Sequence, residues 1–93
     1  MSPAAAEPGP PPEPGRRPGP VVVDCLGLAC PLPLVRLARA VAGVAVGGEV
    51  ELLADDPGAK VDIPVWCRLK DQQFLGREER PGGGWVFRVR RAV

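Results

Sequence analysis

Cys30-Pro31-Leu32-Pro33-Leu34 is the stretch of this chain whose residue types and spacing point most directly to chemistry. The turn signal Leu26-Gly27-Leu28-Ala29 precedes it and an apolar, helix-like pattern follows. A thiol is therefore expected at the start of a helix, between a strand and that helix. Peptide dipoles at such a position favour negative charge. A helix N-terminus can lower a cysteine pKa from ~8.5 into the range of roughly 3.5–7.5, where the reactive thiolate forms. With Pro31 at N1 and Pro33 at N3, two orphan donors are missing, which leaves the Leu32 amide as the main free donor beside the sulfur. The two prolines, with the turn at Gly27, would stiffen the corner that presents Cys30. The competing reading is a small buried cysteine whose prolines only start the helix.

Two more thiols need a role. Cys25 lies five residues before Cys30, across the predicted strand-to-helix turn. It could resolve an adduct on Cys30 by forming a disulfide, or it could be a small core residue at the end of a strand, which is the reading the sequence favours. Cys67 follows Trp66 in a second helical pattern and is expected in the core. A zinc site is not expected, because the Cys25–Cys30 spacing is wider than common ligand spacing and the chain has no histidine. The lack of histidine also excludes Ser-His and Cys-His dyads. Asp55 and Asp56 read as caps of the second helix rather than as a metal pair. Gly82-Gly83-Gly84 sits in a predicted hairpin, not before a helix, so it is not a phosphate loop. No cofactor is implied.

The elements that must position Cys30 follow from periodicity. Val21–Asp24 is a β-branched run and reads as a first strand, buried on both faces or nearly so. From Pro31 to about Val44 the pattern is helical, with Leu34, Leu37, Ala38, Val41 and Ala45 on one face and Arg36, Arg39 and Ala40 off it. The helix is expected to end within Ala42–Val46. Glu49–Ala54 is a second strand. Asp55-Asp56-Pro57-Gly58 predicts a helix start with proline at the first helical position. Val61, Val65, Trp66 and Leu69 are expected on the core stripe of that helix, with Pro64 as a kink or restart and Asp62 as a second N-cap. Gln73–Glu79 reads as a third strand, Arg80–Gly84 as a hairpin loop and Trp85–Arg91 as a fourth strand. In the fourth strand Trp85, Phe87 and Val89 face one way, and Arg88 and Arg90 the other. The order predicts an α+β, two-layer α/β sandwich, β-α-β-α-β-β, whose four-stranded mixed sheet carries both helices on one side.

Composition bounds the rest. The chain has 93 residues, room for one domain. Residues 1–20 hold eight of the 13 prolines, so Met1–Pro20 is predicted to be a disordered, polyproline-like tail. Its Pro-x-x-Pro spacings suit an aromatic groove, but a solubilising extension is the favoured reading. It lacks the apolar core of a targeting signal, and no apolar run approaches the ~20 residues of a membrane span. A cytoplasmic protein without membrane insertion is expected, and three cysteines fit a reducing compartment. Residues 21–93 form the domain. The formal net charge of +1 names no partner. Arg36, Arg39, Arg68, Lys70, Arg88, Arg90 and Arg91 could steer an acidic partner if they share a face. Few aromatics are free to stack on bases, so direct nucleic-acid binding is not expected.

Asp24-Cys25-Leu26-Gly27-Leu28-Ala29-Cys30-Pro31-Leu32-Pro33 resembles the signature of the TusA/SirA-like sulfur carrier family. A second block, Asp55-Asp56-Pro57 and then Asp62-Ile63-Pro64-Val65-Trp66-Cys67, is similar to that family's Asp-Asp-Pro and Asp-Ile-Pro-x-aromatic-Cys segment. The resemblance spans Val21–Val93. It implies the same β-α-β-α-β-β sandwich and a sulfurtransferase in which Cys30 accepts sulfane sulfur as a persulfide. The donor would be a cysteine desulfurase or a rhodanese-like protein. Acceptor proteins would lead to thiolated tRNA, molybdenum cofactor or sulfur metabolism. The outer sulfur must be exposed to the attacking acceptor, and the persulfide is expected to be an anion held by the helix N-terminus. Ala29 and Val61 stand where family members often carry basic residues. The rivals are a redox module cycling Cys25 and Cys30, and a non-catalytic regulatory binding domain.

Overall fold

A computed structural model describes residues 19–93. The tail expected over Met1–Pro20 therefore lies almost wholly outside the described residues. The chain runs β1 (Val21–Cys25), α1 (Leu32–Gly43), β2 (Glu49–Ala54), α2 (Ala59–Leu69), β3 (Gln73–Glu79) and β4 (Trp85–Arg90). The strands form one mixed sheet in the order β1-β2-β4-β3. β1 and β2 are parallel, which requires the α1 crossover, while β4 is antiparallel to both β2 and β3. This is the α+β sandwich that the order of patterns predicts.

One core joins the layers. Val50, Leu52 and Ala54 of β2 and Phe87 and Val89 of β4 meet Leu37 and Val41 of α1 and Ala59, Ile63 and Cys67 of α2. Alternation does what period-2 patterning dictates on β4. Phe87 is fully buried and Trp85 packs against the core, while Arg88 pairs with Glu51 at 3.1 Å and with Glu78, and Arg90 pairs with Glu49 at 2.8 Å on the opposite face.

The helices differ from the periodic reading in detail. On α1 Pro33, Leu37 and Val41 are buried, and Ala40 and Val44 pack against the core, so Ala40 lies on the inner face rather than off it. Gly43 ends the helix, and Ala45 lies past it and is exposed. On α2 the buried stripe is Ala59, Ile63 and Cys67. Val61, Val65 and Leu69 are exposed, Leu69 at 74%. Of the expected stripe, only Trp66 reaches the core. Both stripes recur every four residues, and apolarity alone chose the wrong one because Ala59 and Cys67 are small and close-packing. Pro64 neither breaks nor restarts α2, which is continuous from Ala59 to Leu69. Asp62 is thus an interior helical residue and not a second cap.

Candidate functional site

The β1–α1 and β2–α2 loops leave the carboxyl ends of two neighbouring parallel strands, so the topology brings them side by side. This is the edge at which open α/β sheets build their sites. Cys25 pairs with Ala54 at the last rung, and the chain then turns on both sides. Asp24 Oδ1 accepts the Leu26 N–H at 3.0 Å, closing the first bend. Gly27 follows with φ +81°, a left-handed backbone that glycine adopts without strain. Its N–H donates to both Asp55 carboxylate oxygens, at 3.0 and 3.2 Å. Asp55 therefore ties the second loop to the first.

Cys30 sits on the resulting corner, half-buried and free. Its S–H donates to Asp62 Oδ2 of α2 at 2.9 Å. Asp56 turns its carboxylate to the Gly58 N–H at 3.1 Å. Gly58 matters by what it lacks: a Cβ there would lie 2.8 Å from that Asp56 oxygen and 3.7 Å from Cys30 Sγ. The site is an open corner, and it lies outside two hollows of the surface. One is lined by residues such as Val44, Val46 and Arg90, and the other by Lys60, Arg77 and Trp85.

The electrostatics reverse the expectation from helix dipoles. The Cys30 thiol is pushed up to about 11, first by its hydrogen bond to Asp62, then by partial desolvation and by the charges of Asp62 and Asp56. The supposed free donor is also occupied: the Leu32 N–H is bonded to the Ala29 carbonyl at 3.0 Å. Pro31 takes the N-cap position, Leu32 becomes N1 and Pro33 becomes N2, so the first turn is poor in free amides. A first turn poor in free N–H groups, beside carboxylates that hydrogen-bond the sulfur, favours the neutral thiol. Pro57 likewise precedes the N-cap Gly58 of α2 rather than occupying N1.

The other thiols lie elsewhere. Cys25 is fully buried at the end of β1, and burial is the main cause that raises its pKa. Cys67 is buried on α2 and is pushed up to about 11 by desolvation. Both belong to the core cluster, and neither is in a disulfide. Among the described residues no group of His, Cys, Asp and Glu could hold a metal ion. Three of the arginines singled out for a docking face make contacts within the chain. Arg88 and Arg90 are engaged on the open sheet face, and Arg91 donates to the Ala42 and Val44 carbonyls at the end of α1, at 3.3 and 2.6 Å. Asp62 and Gly58 are the site residues that periodicity missed. The signal for Asp62 was present: an acid on the first turns of the helix that follows the neighbouring parallel strand.

Comparison with known proteins agrees with the architecture and with the family resemblance. The family model described as sulfurtransferase TusA matches residues 21–91. A protein of Archaeoglobus fulgidus provisionally named a sulfur carrier is 41% identical over 73% of this chain and 88% of its own length. The sulfur carrier protein TusA of Pseudomonas entomophila is 37% identical over 64% of this chain and 75% of its own. The crystal structure of a SirA-like protein from Desulfitobacterium hafniense superposes with a TM-score of 0.70, covering 78% of this chain and 99% of that one at 23% identity, a likeness of fold.

Proposed function

The chain belongs to the TusA sulfurtransferase family and is a sulfur carrier, and from that premise we propose that it carries sulfane sulfur as a persulfide on Cys30. The observation that supports this most is the placement of Cys30: of the three thiols, it alone lies outside the core, on the corner where both motif blocks meet. A relay needs the loaded sulfur within reach of an attacking thiolate. An open corner meets that need, whereas an enclosed pocket would not. The donor is a cysteine desulfurase or rhodanese-like protein, and the acceptor is a second protein of the relay.

The redox rival requires Cys25 to meet Cys30, and Cys25 is sealed in the core with none of its surface exposed. Incubating the full chain with a cysteine desulfurase and cysteine, followed by intact mass spectrometry, tests the proposal. The native chain gains one dithiothreitol-labile sulfur atom and Cys30→Ser gains none. A Cys30→Ser protein that still takes up labile sulfur would refute it.

A further inference from the structure

The proximity of a carboxylate to a sulfur that must exchange protons during transfer has a chemical consequence. Three aspartates surround the corner, but two are engaged by backbone: Asp55 by the Gly27 N–H and Asp56 by the Gly58 N–H. Asp62 makes the short hydrogen bond to the thiol, at 2.9 Å from Sγ. It is half-buried in the first turn of α2, a continuous helix in which its neighbour Ile63 is fully buried. A carboxylate fixed this way is within the reach that general acid–base catalysis demands.

We propose that Asp62 is the acid–base residue of sulfur transfer at Cys30, in each direction taking the proton of the attacking thiol and passing it to the thiolate that leaves. This rests on Cys30 being the sulfur site. In loading, Oδ2 accepts the proton of the Cys30 S–H, and Sγ forms a bond to the outer sulfur of a protonated donor persulfide, R–S–SH. The donor's S–S bond breaks and its inner sulfur leaves as a thiolate, which takes the proton from Asp62. The products are Cys30–S–SH and R–SH, with no net oxidation. In discharge Asp62 takes the proton of an acceptor thiol, the resulting thiolate attacks the outer sulfur, the Cys30–sulfur bond breaks, and Asp62 passes that proton to the departing Sγ. The charged groups that bear on the sulfur are carboxylates from both packed elements, Asp62 from α2 and Asp56 from the β2–α2 loop, and no lysine or arginine is among them. Negative surroundings favour the neutral persulfide, whose outer sulfur is the electrophile that an acceptor needs.

The test uses the full chain, glutathione persulfide as the sulfur source and glutathione as the acceptor, with iodoacetamide alkylation measured in parallel. Asp62→Asn is expected to alkylate faster at neutral pH, because the thiol ionises more readily, yet to load and discharge sulfur more slowly by roughly 10²-fold. Asp62→Glu, which keeps an acid, is expected to recover part of the transfer rate. If Asp62→Asn both alkylates and transfers faster, the carboxylate only suppresses the thiolate and the proposal is overturned. Thermal unfolding checks that each variant folds. Should the asparagine variant not fold, transfer by Asp62→Ser decides: a rate lowered against native while alkylation rises supports the proposal, and an unchanged or faster transfer rate overturns it. A native chain that takes no sulfur on Cys30 would take down the persulfide reading itself, an outcome visible before any Asp62 variant is made.

Discussion

Cys30 shows how one neighbour can outweigh a general tendency. The first turn of a helix attracts anions through its free N–H groups, but here Pro31 and Pro33 have none and Leu32 spends its own on Ala29. The Asp62 bond then decides the protonation state. The reactivity of the thiol should follow: Cys30 alkylation is expected to rise with pH well above the 9.0 of an ordinary cysteine, toward about 11. A rate that levels off below pH 8 would contradict this. The motif residues that mark the site were legible in the sequence. The bond between Cys30 and Asp62 was not, because it joins the β1–α1 loop to α2 and depends on which face of α2 turns inward. The same cause hid Gly58, whose value is the space it leaves beside the sulfur.

At the scale of elements, strands were easier to read than helices. Alternation on β4 has one solution, since a single-residue slip would turn every side chain to the wrong face; the β-branched run of β1 marks a strand without fixing its inner face, and Val21 and Val22 are exposed. α2 had two competing stripes, and the apolar one, Val61, Val65 and Leu69, is on the surface. The two faces should respond differently to substitution. Ile63→Ala is expected to cost about 2–5 kcal/mol in urea unfolding, as buried large-to-small changes do. Leu69→Ser is expected to stay within about 0.5 kcal/mol of native stability. Equal costs would mean that the faces are misassigned. The end of α1 has its own test. Arg91 reaches across from the chain terminus to the Ala42 and Val44 carbonyls. Arg91→Ala should lower stability by about 0.5–1.5 kcal/mol, the net contribution of a typical intramolecular hydrogen bond, and a neutral result would show that water replaces it.

Over the whole molecule, a single core holds the two loops that make the site, so stability and site geometry are linked through Cys25, Ala54 and Ala59, which lie at its edge nearest Cys30. The thiols also give the fold a pH dependence with a definite sign. Cys30 and Cys67 keep their protons to about 11 in the folded chain, against 9.0 for an ordinary thiol. The native state then binds more protons than the unfolded one in that window, so this stabilisation is complete below pH 9 and is lost as pH rises through about 11. Urea midpoints should fall over that interval, and less so in Cys67→Ala measured against its own neutral-pH midpoint. The overall fold was readable because short, well-patterned elements in this order admit few topologies. Among the described residues no helix is long and apolar enough to cross a membrane.

The most direct test of the persulfide reading is to locate the sulfur in the native chain. After loading by a desulfurase and trapping with iodoacetamide, peptide mapping by mass spectrometry should find the additional sulfur on the peptide containing Cys30 and on no other. Sulfur found on Cys25 or Cys67, with Cys30 carrying only the alkyl group, would contradict the account.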